Sequence, residues 1–78
     1  MPNRVLLIED EAALVMTLTD RLVATGYAVT SVGSGEEGLD KVATDRFDCI
    51  ILDIMMPGID GFEVCRRIRR ARLDTPIL

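Results

Sequence analysis

The residues able to do chemistry in this chain are acids placed where apolar runs stop. Asp53 ends the run Cys49-Ile50-Ile51-Leu52 and opens the loop Ile54-Met55-Met56-Pro57-Gly58-Ile59-Asp60-Gly61. Glu9-Asp10-Glu11 ends the run Val5-Leu6-Leu7-Ile8 in the same manner. In an open α/β sheet, ligands sit at the carboxyl ends of the strands. Two strand ends bearing carboxylates therefore suit a divalent metal site, a phosphoryl site, or both. A hard cation such as Mg2+ is held through one or two carboxylates together with water and phosphate oxygens. Glu9, Asp10 and Asp53 could supply that set. A carboxylate so placed can also attack phosphorus and form an aspartyl phosphate. The competing reading makes Glu9-Asp10-Glu11 an acidic helix start favoured by the macrodipole, and Asp53 a turn residue. Either cluster alone favours that reading; their joint occurrence at two strand ends favours a site.

The elements that must position these acids are legible from periodicity. Val5 to Ile8 is a continuous apolar strand of the kind buried on both faces in parallel sheets. Asp10 is placed to cap a following helix, Leu14, Val15, Leu18 and Leu22 have helical spacing, and Gly26 stands where that helix would stop. Ala28 to Val32 is a short strand, broken by Gly33-Ser34-Gly35. Ser34 with Glu37 forms a capping-box pattern, and Leu39, Val42 and Ala43 supply a helix face. Phe47 to Asp53 is the clearest strand. Asp60 and Glu63 form another cap-like pair, opening a helix with Phe62, Cys65 and Ile68 turned inward. Asp74-Thr75-Pro76 ends it, and Ile77-Leu78 reads as the first half of a further strand. The order β-α-β-α-β-α plus a fragment of β implies a parallel sheet with right-handed crossovers.

Composition narrows the class. At 78 residues the chain holds one domain at most. Its 49% hydrophobic content is ample for a core, and 28% charged residues argue against disorder. A net charge of −4 speaks against general affinity for nucleic acid or anionic membrane. Cys49 and Cys65 have no CxxC spacing and read as two buried thiols of a reducing cytoplasm. Met1-Pro2-Asn3-Arg4 leads straight into a four-residue apolar run, too short for a leader or a membrane span, so a cytoplasmic location is expected. Arg66, Arg67, Arg69, Arg70 and Arg72 concentrate positive charge near the end of the last helix, where it favours the dipole; a solvated face is the preferred reading over a partner surface.

The pattern Asp53-x-x-Met56-Pro57-x-x-Asp60-Gly61, preceded by an acidic pair after the first strand, resembles the receiver domain of bacterial two-component response regulators. The resemblance covers the whole chain, and the spacing is highly specific. It implies a flavodoxin-like (CheY-like) α/β fold with strand order 2-1-3-4-5. It implies that Asp53 is the phosphoacceptor, fed by a sensor histidine kinase, in a signalling module that is not itself an enzyme. It further implies that Glu9, Asp10, Asp53 and the backbone carbonyl of Met55 hold Mg2+, with Pro57 and Gly58 shaping the loop and Gly61 close to the next helix. Glu9 stands where the family often has Asp. The family also uses a Ser/Thr after its fourth strand and a Lys after its fifth, and neither position falls within these residues. Lys41, the only lysine, lies in the second helix. The expectation is a receiver domain truncated after its third helix, residues 1–78, impaired in switching and reaching nucleic acid only through an absent output domain. With order 2-1-3, the strand from Cys49 to Leu52 becomes an apolar edge, so a homodimer or strand-swapped oligomer is expected.

Two other readings compete. A hydrolase with an aspartyl nucleophile, such as a haloacid dehalogenase-like phosphatase, requires a second acid two residues after the nucleophile, and Met55 occupies that place. A non-catalytic assembly fragment with a vestigial acidic site is the remaining alternative.

Overall fold

The computed structural model describes residues 3–71 and 74–78; Met1, Pro2 and Arg72, used in the sequence reading, lie outside the described residues. Six elements follow in the expected order: β1 (Arg4–Ile8), α1 (Ala12–Thr25), β2 (Ala28–Val32), α2 (Gly35–Thr44), β3 (Cys49–Leu52) and α3 (Gly61–Ala71). The sheet order is β2-β1-β3, with both pairings parallel. β1 is central, in register with β2 from Arg4↔Ala28 to Ile8↔Val32 and with β3 from Val5↔Cys49 to Ile8↔Leu52. That register brings the carboxyl ends of β1 and β3 level, which sets Glu9 beside Asp53.

Side chains alternate across a strand, so β1 feeds two faces. Leu6 and Ile8 join Ile50 and Leu52 of β3 in a core closed by Val42 of α2 and by Val64 and Ile68 of α3. Val5 and Leu7, also buried, point to the opposite face. α2 sits close because it carries glycine: a Cβ on Gly38 would lie 2.5 Å from Ile8 Cδ1. At the other end of β1, Asp48 accepts the Arg4 N–H at 2.7 Å, and the Arg4 guanidinium stacks 5.0 Å from the Phe47 ring centre.

Helix ends follow the sequence signals in part. Gly26, at φ 110°, terminates α1; its N–H bonds Val23 O and the Tyr27 N–H bonds Leu22 O, both at 3.0 Å. That pair of bonds is a Schellman motif. Ser34 caps α2, its Oγ accepting the Glu37 N–H at 3.1 Å. Asp60 caps α3, Oδ1 accepting the Phe62 N–H at 2.9 Å, while Glu63 turns to Arg66 and Arg67 instead. Asp10 does not cap α1. The N-cap is Glu11, which makes no side-chain cap bond.

Three further expectations are corrected. Phe62 is 60% exposed, because the inward face of α3 runs through Gly61, Val64 and Ile68. Ala43 is likewise exposed, Gly35 and Gly38 taking its place on the buried side of α2. β3 is not a bare edge: the Ile50 N–H bonds Pro76 O at 2.9 Å, the Leu52 N–H bonds Leu78 O at 3.0 Å, and the Leu78 N–H bonds Ile50 O at 2.8 Å. Ile77 pairs with Ile50 as an isolated parallel bridge. The two cysteines are free and half-buried. α1 buries none of its residues; Val15, Leu18 and Leu22 are half-buried and Leu14 is exposed.

Candidate functional site

The site is built at the carboxyl edge of β1 and β3. Glu9 follows β1 directly, and its N–H bonds Val32 O at 3.1 Å, which continues the ladder past Ile8 and fixes the backbone. The Asp53 N–H does the same on the other side, bonding Ile8 O at 3.0 Å. Both carboxylates therefore leave from backbone held within the sheet rather than from free loop. Asp10 follows in the short β1–α1 connection and is exposed.

Each of Glu9, Asp10 and Asp53 offers an oxygen within 4.8 Å of the others, the one such acidic group among the described residues. Glu9 is 5% exposed, the only buried charged side chain among them. Burial pushes its carboxyl above the usual glutamate range, and Asp53 and Asp10 push the same way. The Glu11 N–H opposes this by donating to Glu9 Oε2 at 3.1 Å. Asp53 is half-buried, and its Oδ1 accepts the Met55 N–H at 2.8 Å. That bond folds the chain back over the carboxylate as an Asx-type turn. The Met55 side chain is 85% exposed.

The loop after Asp53 is held by close approach. A Cβ on Gly61 would run into Ile54 Cα, so the start of α3 lies directly on the residue after Asp53. Gly58, at φ 94°, supplies the left-handed turn that ordinary side chains resist. Met56 is half-buried and packs against the core. Chemically, three clustered carboxylates, one of them desolvated, supply the oxygen donors that a hard divalent cation takes. They lack the second acid at Met55 that a haloacid dehalogenase-like centre would require.

The sequence brought forward Glu9, Asp10 and Asp53, and the fold gathers all three. Glu11 stands apart: its carboxylate is not in the group, and its part is the amide that orients Glu9. Sequence reasoning missed that amide, since any residue could supply it. It did place Gly61 close to its helix; the partner, Ile54, comes from the fold.

The family model for the response regulator receiver domain matches residues 5–78. The chain belongs to that family. This receiver domain is 45% identical over 78 residues to the response regulator MprA of Mycolicibacterium vanbaalenii, covering 100% of the chain and 34% of that protein. It superposes with TM-score 0.90 and 39% identity on a structure of histidine kinase ThkA in complex with response regulator TrrA, a Thermotoga maritima protein, covering 96% of this chain and 65% of the matched one. A TM-score of 0.93 at 29% identity relates it to the receiver domain of sensor histidine kinase PA1611 of Pseudomonas aeruginosa, determined with magnesium coordinated in the active site cleft; coverage is 99% and 65%. The chain thus spans about a third of the length of the curated relatives it matches. The fold is the flavodoxin-like, CheY-like one expected from its motifs. Among the described residues, no helix is long and apolar enough to cross a membrane.

Proposed function

We propose that this receiver domain accepts a phosphoryl group on Asp53 from a phosphohistidine of a sensor kinase in the cytoplasm. The observation that carries the reading is the convergence of Glu9, Asp10 and Asp53 in a chain of this family. In the step, an Asp53 carboxylate oxygen bonds phosphorus as the bond to the kinase imidazole nitrogen breaks. The imidazole leaves with the electron pair and takes its proton from solvent, and an acyl phosphate remains. The Met55 N–H on Oδ1 holds the carboxylate's orientation through the attack.

Glu9, Asp10, Asp53 and the Met55 carbonyl would hold Mg2+, which when bound offsets the charge gathering on the transferred oxygens. The donor set fits such a cation: all side-chain donors are oxygens, and three like charges crowded together need a counter-charge. The test is incubation with acetyl phosphate, or with a phosphorylated kinase domain, followed by intact-mass measurement. A single acid-labile phosphoryl adduct that requires Mg2+ and is lost in Asp53→Asn is the expected result. An adduct persisting in Asp53→Asn would reject Asp53 as the acceptor.

Self-association is a second reading, favoured by one observation: α1 buries none of its residues although it carries Leu14, Val15, Leu18 and Leu22. A dimer covering that face gives a concentration-dependent sedimentation coefficient. A monomer throughout the micromolar range removes this reading and leaves the phosphoacceptor reading untouched.

A further inference from the structure

The two helices on the core face of the sheet carry opposite charge on their outer sides. α2 packs inward through Gly35, Gly38 and Val42, and α3 through Gly61, Val64 and Ile68. Glu36 and Asp40 are exposed on α2, and Arg66 and Arg70 are exposed on α3. Residues four apart share one row along a helix, so each helix turns a row of one sign toward solvent. We propose that this face binds a second copy of the chain, with α2 of each copy lying on α3 of the other.

The two rows are in step. α2 links β2 to β3, and α3 leads from β3 to the parallel bridge at Ile77, so the helices run in the same direction. Gly35 packs against Val64, which fixes their relative level. At a rise of about 1.5 Å per residue in each, Glu36 then stands level with Arg66 to within a residue, and Asp40 with Arg70. A two-fold axis parallel to the helices and midway between them keeps those levels. It sets Glu36 against Arg66 of the second copy and Asp40 against Arg70, twice over. An axis across the helices would set acid on acid and arginine on arginine, so charge selects the first. A contact of that kind is isologous and closes as a dimer.

Neighbouring charges leave the rows intact. Glu37 and Lys41, four apart and bordering a cavity with Val32 of β2, offset one another. Glu63 takes both Arg66 and Arg67, at 2.6 and 2.9 Å, so α3 keeps an excess of positive charge. Among the described residues no ion pair joins the two rows within one chain. Phe62, exposed one turn before Arg66, extends the row with an aromatic of the kind enriched alongside arginine at interfaces. The helices are about 15 Å long and stand about 10 Å apart, a footprint of a few hundred Å2. That is less than the ~800 Å2 per partner of a standard interface, so the dimer is reversible and held largely by charge. α1 has no residue in the core beneath α2 and α3, and this contact stands apart from the α1 association considered above.

The test is sedimentation velocity of the chain up to millimolar concentration. A dimer is expected at ~0.01 M salt and should dissociate at ~1 M, as the screening length falls from ~30 Å to ~3 Å. Association through the apolar side of α1 would instead persist at high salt. Glu36→Lys/Asp40→Lys makes both rows basic, and Arg66→Glu/Arg70→Glu makes both acidic; each should weaken self-association at least tenfold. Mixed together, these two chains should form a heterodimer, because both seams are then complementary. A chain carrying all four changes should dimerise as the parent does. Unchanged far-UV spectra show that the variants fold, and the milder Asp40→Asn and Arg70→Gln should each weaken the dimer severalfold. A parent that stays monomeric at low salt, a dimer indifferent to salt or to reversal of either row, or a mixture that stays monomeric would overturn the proposal.

Discussion

Glu9→Gln removes one charge from the most enclosed carboxyl of the site while keeping its shape. Oxygens of Glu9 and Asp53 lie within 4.8 Å of each other. Two unit charges at that separation repel by about 3.5 kcal/mol at an effective dielectric of about 20, and by about 1 kcal/mol in water. Without metal near neutral pH, the variant is therefore expected to be about 1 to 3 kcal/mol more stable than the parent. For a domain of this size each kcal/mol raises Tm by roughly 4–8 °C. The pH dependence has a definite sign. The Glu9 carboxyl is raised above the ordinary 4.5, so the folded chain holds a proton that the unfolded chain has already released. In that window the parent loses stability as pH rises, and the variant does not. Below about 4.5 residue 9 is neutral in both chains and the difference closes. Mg2+ should narrow the difference, and reverse it only where the advantage of the variant is below about 1.4 kcal/mol. At tenfold over its Kd a ligand adds about 1.4 kcal/mol, and only the parent has the full donor set. Urea unfolding followed by far-UV circular dichroism, in EDTA and in Mg2+ across the acid-to-neutral range, measures all of this. A variant no more stable than the parent in EDTA at neutral pH, or a difference indifferent to pH, refutes the reasoning.

Gly61→Ala places a Cβ against the Ile54 backbone, which cannot turn aside as a flexible side chain can. A loss of about 1–3 kcal/mol is expected from thermal unfolding, with Mg2+ affinity falling because Ile54 adjoins Asp53. Ser34→Ala removes the oxygen that accepts the Glu37 N–H and should cost about 1 kcal/mol, with faster amide exchange confined to the first turn of α2. Carboxyl-carbon NMR should place the Glu63 midpoint below 4.5, held down by hydrogen bonds from Arg66 and Arg67, and that of Glu9 above it. The contribution of Glu63 to stability is then present above 4.5 and fades as pH falls through its folded value; equal midpoints for Glu63 and Glu9 would contradict both assignments.

Much of this molecule is legible in the order of its residues because two periodicities alternate without interruption. Continuous apolar runs gave β1 and β3, and the acids that follow them could only emerge at one edge once the sheet was parallel. What stayed hidden was set by tertiary neighbours. Phe62 looks like a core residue by type, yet Gly61 claims the inward position because only a residue without a side chain fits against Ile54. Asp10 looks like a cap, but it lies with Glu9 and Asp53 in the acidic group instead. Ile77 and Leu78 read as a strand beginning, and nothing local discloses that Pro76 and Leu78 already bond the outer side of β3.

The central place of β1 has a consequence for the order in which the molecule can be made. Within this domain β1 leaves the ribosome before both of its partners, and its contacts with the start of the β3 region bridge 44 positions, as between Arg4 and Asp48. Both of its partners are non-local, so loop closure must come before either contact stabilises the chain. Nascent chains that end before β3 should leave Val5, Leu6, Leu7 and Ile8 open to protease, and protection should arrive in one step once Leu52 has cleared the exit tunnel. Gradual protection from β2 onward would show a two-strand intermediate. Of the three strands, the one made earliest must wait longest for its neighbours, and during that wait its apolar face is available to chaperones.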